Sequence, residues 1–532
     1  MKLRKLFLLT IIIVSVLTGT AFAAAGESGA SGTDPAKETR KTANPADYAG
    51  KKVGVITGST GERIAAELFP ESIPMYFTGF SDSLLALKVG TVDAVITDAS
   101  HVRDMQRTDK VVDYELVPGQ SSYLAQAFPK TEKGKALQEE FNAWFEEYRA
   151  DGTLERLEEK WFTFPEEQCV FDDPSDLPPG EKILNIATMG TSPPLEYVKD
   201  GELMGMEIEI VREFCRAAGY QPVFSTMEFS SVLTGVIMGK YDMGASNLTV
   251  TEERKKSVYF ADPFLYDPVT VAYYPAGAAV SSETDPAEGL SGGFERTFLR
   301  EDRWMLFLEG IGATLLIVVC SLLFGTMLGF GLYILCRGGS RPVNAVVSVF
   351  QGLITGMPVV VFLMILFYIV FAKSPVSGTA VAVTGFTVLF AFTMFGMLKN
   401  SEAAIDIGQK EAAYALGYSD LSAYFRIILP QSARLFLPVY ESETVSLIKA
   451  TAVVGYVAVV DLTKVGDLIR GRTYDAFFPL LAVVVGYFLI SAVLKWVIRG
   501  ISAKINSGSD KKTALLTSFI KEERSSRENE IS

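Results

Sequence analysis

Glu309, Glu441, Glu443 and Lys449 lie inside apolar stretches long enough to cross a bilayer. An ionisable group at such a position is costly, and it is kept where it pairs with another charge or lines a path for a charged solute. Glu441 and Glu443 follow Pro438 closely and suit either use: a wall for a passing ammonium group, or half of a Glu–Lys pair between helices. Other chemistries are excluded by residue type. One histidine, His101, and four scattered cysteines give no His/Cys metal-site spacing, so neither a metal nor another cofactor is expected. A net charge of −13, with no basic patch interleaved with aromatics, excludes a general nucleic-acid binder. The run GDLIRGRT, 466–473, has the glycines of a phosphate-binding loop, but Arg472 stands where its lysine belongs. VVGYV, 453–457, matches part of a potassium filter yet lacks the closing glycine. No catalytic constellation emerges, and the chain reads as a non-enzyme.

The elements that must carry these residues divide the 532-residue chain unevenly. Lys2, Arg4 and Lys5 precede an apolar run from Leu6 to Leu17 and an Ala21-Phe22-Ala23 site, which reads as a signal peptide over 1–23 or an uncleaved anchor helix. Either way, the polypeptide beyond it is exported. Residues 24–47, rich in Ala, Gly, Ser and Thr, read as a flexible leader. From 48 to 275 short β-type runs alternate with helical ones, the pattern of parallel sheets with crossover helices. The alternation pauses at an acidic, Pro-rich connector, 164–181, and restarts at ILNIATMG. Cys169 and Cys215 fall in this exported part, where they either pair or remain free thiols. A Gly/Ala/Ser/Glu-rich linker covers 276–303. Residues 304–505 then offer five candidate spans: Met305–Leu335, Ala345–Phe371, Ala380–Leu398, Leu435–Val460 and Phe477–Val497. Five spans after an exported start leave a tail, 506–532, in the cytosol, and the Lys/Arg-rich connections then face inward.

The long polar connection between the third and fourth spans reads GQKEAAYALGYSDLSAYFRIILPQSARLFLP. Small Ala412 and Ala413 allow close approach by a partner, Gly417 permits a sharp exit, and Pro430 suits the restart of a helix. With Glu411 before them and Ile427, Leu429 and Pro430 after, these residues resemble the EAA loop of ABC importer permeases. GATLLIVV, ITGMPVVV and SLIKATAVVGYVAVVDL are similar to the polar amino acid permeases among them, with Thr355 where that family has an arginine. The resemblance implies an all-α, five-span membrane domain. It also implies a separate cytosolic ABC ATPase gripping Glu411, Ala412, Ala413 and Gly417, and a permease dimer, expected to be a homodimer.

The exported part resembles the amino-acid solute-binding proteins, which implies a two-lobed, type II periplasmic-binding-protein-like α/β fold. The pieces stand in an unusual order. PPLEYVKDGELMGMEIEIVREF and DMGASNLTVTEERKKSVYFADPF, which open that family's chain and build lobe one, fall in 182–275. GKKVGVITGST, LKVGTVDAVITD and the returning DGTLERLEEKWF, which belong to lobe two and the family's C-terminus, fall in 48–163. The order implies either a circular permutation joined through 164–181 or two half-domains completed by another chain. Carried onto this sequence, the family's site implies Arg254 for a ligand carboxylate and Asp98 for its ammonium. It implies donors from Ser246, Asn247, Thr249, Ser59 and Thr60, and Phe229 packing on the ligand side chain. Ser192 stands at a place that is often aromatic. The expectation is an ATP-driven amino-acid importer subunit in the plasma membrane. A ligand-gated channel would place its pore between the lobe segments, and a sensor would need an output domain larger than the tail.

Overall fold

The computed structural model describes residues 41–173, 182–275, 289–338, 341–374 and 376–531. The signal peptide and most of the leader, part of the connector and most of the linker fall outside the described residues. Three short apolar strands, β1 (Lys52–Ile56), β2 (Ile73–Phe77) and β3 (Ala94–Asp98), pair in parallel, with β1 between the others. Parallel pairing needs crossovers, supplied by helices α1 (Thr60–Leu68) and α2 (Phe80–Lys88). Helix α3 (Ala99–Thr108) comes directly after β3. AVITD is buried at every residue, as a strand covered on both faces must be. The chain continues through β4 (Asp113–Leu124) and β5 (Ala127–Pro129). Helices α4 (Glu132–Ala150) and α5 (Thr153–Thr163) are separated by Gly152 at φ 81°, the expected helix break.

The restart gives β6 (Lys182–Thr188) and a small hairpin sheet of β7 (Thr191–Ser192), β8 (Glu196–Lys199) and β9 (Glu202–Met204). Then come α6 (Met206–Ala218), β10 (Tyr220–Thr226), α7 (Phe229–Ile237), β11 (Met243–Gly244), β12 (Val258–Phe260) and β13 (Leu265–Tyr273). Two five-stranded sheets result, ordered β2-β1-β3-β13-β4 and β10-β6-β11-β5-β12. Each half of the exported part therefore lends one strand to the other's sheet. β5 runs antiparallel between β11 and β12, and β13 antiparallel between β3 and β4. The two halves are interlocked, so neither sheet is complete without both.

Helix α5 and the connector are fastened to α6 through a buried ion cluster. Lys160 reaches both Glu209 (2.8 Å) and Asp172 (2.7 Å), while Trp161 Nε1 donates to Glu209 Oε2 at 2.7 Å. A carboxylate as buried as Glu209 is tolerated only with such partners. Cys169 and Cys215 are separate buried free thiols, and burial pushes Cys215 up to about 12.

Among the described residues, three of the remaining helices are long and apolar enough to cross a membrane: α8 (Trp304–Gly338), α11 (Gly378–Ala403) and the Phe477–Lys504 part of α15 (Phe477–Ile531). Two bent pairs raise the count to five if each is one span: α9 (Arg341–Gly356) with α10 (Val359–Val370), and α13 (Asp420–Val457) with α14 (Leu462–Thr473). The first pair bends by 110° between Gly356 and Val359, where Pro358 cannot continue a helix. The expected second span, Ala345–Phe371, falls across this bend. Helix α12 (Ile407–Ala415) lies between α11 and α13. Helices α8 and α11 touch through small residues: a Cβ on Gly329 would collide with the carbonyl oxygen of Ala391. Glu441 makes a two-pronged pair with Arg499, 2.7 Å at its shortest, so the intramembrane carboxylate is matched by arginine and not by Lys449. Glu309 and Lys449 are exposed and Glu443 is half-buried.

Candidate functional site

The ends of the two sheets face each other across a narrow cleft. From the first sheet, Gly58 (φ +78°) turns the chain after β1 so that Ser59 and Thr60 open α1, their backbone at a helix N-terminus. Asp98 ends β3 and stands at the N-cap position of α3, yet its side chain does not cap the helix. It accepts a hydrogen bond from Ser122 Oγ at 2.6 Å instead. From the second sheet come Phe229 at the start of α7, and Asn247, Thr249 and Arg254 from the loop after β11. These seven residues line one cavity of about 10 Å³, roughly the room of one water. The lobes are thus nearly closed on each other. Arg254 holds them so, donating from Nη1 to Thr249 O and from Nη2 across the cleft to Gly58 O, both at 2.9 Å.

Two expected residues lie behind the cavity. Ser246 turns its hydroxyl to Glu196 Oε1 (3.2 Å), and Ser192 is fully buried against His101 and Asn247. Burial, reinforced by the Asp267 carboxylate, pushes Asp98 up to about 8. Asp267, on β13, accepts from the Ser100 backbone N–H at 3.2 Å and lies 3.6 Å from Arg103. Beneath Asn247, Glu207 accepts the Asn247 backbone N–H at 2.7 Å and a hydrogen bond from Gln126, and burial pushes it up to about 8. That contact holds Asn247 at φ +39°, a conformation asparagine tolerates better than most residues.

Sequence reasoning missed Phe80, Thr97 and His101. His101 sits three residues after Asp98 on α3, stacked on Phe80 with ring centroids 4.1 Å apart. Its Nε2 meets Ser192 Oγ at 2.6 Å and its Nδ1 meets Thr97 Oγ1 at 3.1 Å. Burial lowers its pKa to about 3, which keeps the ring neutral. The signal was available: the chain's single histidine falls one turn beyond Asp98.

On the membrane half, Asp406 caps α12 by accepting Gly408 N–H (2.7 Å). Gly417 ends that segment at φ +84°, which only glycine adopts without strain. Ala413 is buried while Glu411 and Ala412 are exposed, as are Ile407 (71 %) and Leu416 (76 %) at the two ends. An ionic knot roots the segment: Arg337 bridges Glu402 and Asp420 (3.0 Å), Lys410 joins Glu402, and Tyr414 donates to Asp420.

Helix α14, which contains GDLIRGRT, packs across both sheets' sides of the cleft. Arg470 pairs with Asp82 of α2 at 2.8 Å, and Tyr474 donates to Asp104 of α3 at 3.1 Å. Lys464, 3 % exposed, pairs with Glu228 beside α7 at 3.0 Å. Arg472 pairs with Glu166 and Glu301 and lies over the Tyr197 ring. The run is helical with its arginines committed, and no phosphate loop is formed. A Cβ on Gly471 would come within 3.1 Å of Ser81 Oγ and 3.3 Å of Thr191 Cβ, which marks how closely the helix approaches.

The family described as bacterial extracellular solute-binding proteins, family 3, matches residues 184–528. The chain belongs to that family. Its members are binding components and not catalysts. This solute-binding protein also carries a permease-like half. It is 27 % identical over 208 residues to the probable amino-acid ABC transporter permease protein YckA of Bacillus subtilis (strain 168), covering 39 % of this chain and 88 % of that protein. It is 26 % identical over 214 residues to the L-cystine transport system permease protein TcyB of the same organism, covering 40 % and 88 %. Among solved structures, a crystal structure of an amino acid ABC transporter with histidines is 24 % identical, over 37 % of this chain and 94 % of that one, at a TM-score of 0.35. The chain therefore has the general architecture of an ABC importer: an extracytoplasmic binding region, then a membrane-embedded, multi-pass permease-like region.

Proposed function

We propose that this chain is the combined receptor and permease subunit of an ATP-driven amino-acid importer. In this reading 48–275 is one circularly permuted, two-lobed receptor and 304–505 is a five-span permease domain. A ligand carboxylate replaces the Gly58 carbonyl as the partner of Arg254, a ligand ammonium takes Asp98, and the lobes close over both. Ser59, Thr60 and Thr249 add neutral donors, and Phe229 packs on the side chain. The exposed apolar ends of α12, Ile407 and Leu416, with Glu411 between them, are the grip of a separate cytosolic ATPase. A second copy of the chain completes the membrane domain.

The observation that carries the reading is the convergence of Arg254 and Asp98 on one cleft that is held by ion pairs to the permease-like half. Vesicles holding the chain with its ATPase and internal ATP should take up labelled amino acid from outside. Glu411→Lys and Gly417→Val should abolish uptake while ligand affinity stays within about threefold of the parent. Uptake that persists in both variants, or without ATP, would refute the importer reading and point to a ligand-gated channel.

A further inference from the structure

Among the described residues, the ionisable side chains lining the cleft are Asp98 and Arg254. This inference rests on the amino-acid reading, in which those two are taken by the ligand's own ammonium and carboxylate. The neighbouring carboxylates do not line the cleft: Asp267 is held by Ser100 and Arg103, Glu207 by Asn247 and Gln126, and Glu196 takes Ser246 on Oε1 while its Oε2 stays buried without a partner. A charged ligand side chain would lie against Phe80, Phe229, Ile96 and Val269 with no counter-charge, a strongly unfavourable burial.

The cleft also carries polar atoms awaiting a partner. Asn247 is 2 % exposed and its Oδ1 accepts nothing, while Ser59 Oγ is likewise buried without a partner. The orientation of the Asn247 amide is set from behind. Its Nδ2 donates to Ser192 Oγ at 2.8 Å and approaches His101 Nε2 at 3.2 Å. With the ring neutral and its proton on Nδ1, His101 would donate to Thr97 and accept from Ser192 on Nε2, which leaves Ser192 Oγ to accept from Asn247. In that arrangement Oδ1 is the amide atom left for a ligand. An acceptor that is buried and unpaired costs free energy until a donor arrives.

We propose that the cleft takes an amino acid whose side chain is uncharged and donates a hydrogen bond, a hydroxyl or an amide. In the same proposal His101 is the positioning residue that presents Asn247 Oδ1 to it. Stacking on Phe80 (4.1 Å) lets His101 do so while also shaping the apolar wall.

Calorimetric titration of the full chain in detergent with serine, threonine, glutamine, alanine, valine, arginine, lysine and glutamate tests this. A donor-bearing neutral amino acid should bind about tenfold or more tighter than alanine or valine, one hydrogen bond's worth, and tighter still than the charged three. His101→Phe keeps the stack and removes the acceptor. It should collapse the preference over alanine toward one while alanine affinity moves less than about threefold, and His101→Gln should restore part of the preference. Should His101→Phe fail to fold, Ser192→Ala removes the same link and carries the same expectation. Tightest binding of arginine, lysine or glutamate overturns the side-chain inference and leaves the amino-acid reading standing. Alanine or valine binding as tightly as the donors overturns the role of Asn247, and an unchanged preference in His101→Phe overturns that of His101. Absence of binding by all eight overturns the amino-acid reading and this inference with it.

Discussion

Replacing Arg254 by alanine should weaken ligand binding by about 2–3 kcal/mol, or roughly 30- to 150-fold in Kd. The magnitude comes from its surroundings. Truncating one member of a hydrogen-bonded, desolvated charge pair costs about 2–5 kcal/mol, much of it from the stranded partner. Arg254 is half-buried, not fully enclosed, so water relieves part of the stranding and the lower half of that range applies. Its two donor groups, Nη1 and Nη2, now hold Thr249 O and Gly58 O at 2.9 Å, and a carboxylate would exchange a neutral acceptor for a charged one. Arg254→Lys keeps the charge and loses the fork, and should fall between the two, about tenfold weaker than the parent. Titration calorimetry of the full chain measures both. A thermal melt without ligand is the control, since only hydrogen bonds to two carbonyls are lost there, each worth about 1–3 kcal/mol. Arg254→Ala binding within threefold of the parent would refute the reasoning, because no second guanidinium lines the cleft to take its place.

Burial and Asp267 raise Asp98 to about 8, so the folded chain holds this proton more tightly than the unfolded one. Its contribution to unliganded stability should therefore fall as pH rises from about 4 to about 8, and level off above that. Binding an ammonium group favours the ionised form, so ligand affinity should rise with pH up to about 8, with close to one proton released per ligand near pH 7. Calorimetry in two buffers of different ionisation enthalpy reads that proton, and Asp98→Asn should abolish its release. The Lys464–Glu228 pair should behave as a partly buried bridge: Lys464→Met and Glu228→Gln should each lower the melting temperature. The double variant should be no worse than the poorer single one, a coupling of about 1–3 kcal/mol. Strict additivity would mean that the contact does not hold the receptor on α14.

Much of the fold was readable because its signals are local. The apolar runs KVGVI and AVITD became strands, Gly152 broke the helix as expected, and Gly417 took the positive φ that its place in the segment required. The exchange of β5 and β13 between sheets was not readable from those runs alone. β5 is three residues long, and its partners come from a distant part of the chain. The bend at Pro358 was hidden because hydropathy stays high on both sides of it. Seven of the nine proposed ligand contacts converge on one cavity, but the polar support behind them did not show. His101 faces Ser192 and Asn247, 91 and 146 residues further along, and no local pattern encodes such a meeting. The same limit hid α14, whose glycines suggested a loop while its real constraint is close approach to Ser81 and Thr191.

The position of β13 has a consequence for how the molecule is made. It is the last strand among the described residues, yet it lies inside the first sheet, between β3 and β4. Until Tyr273 has been synthesised, β3 and β4 have open edges where β13 will sit. The ribosome adds about 5–20 residues per second, so β1 waits about 10–40 s for its sheet to be completed. Among the described residues the next long apolar helix begins at Trp304, so the sheet closes only shortly before that helix is made. An open strand edge invites pairing with other chains. Truncations ending before Leu265 should therefore accumulate as aggregates instead of soluble half-domains, which fractionation into soluble and pelleted protein reads directly.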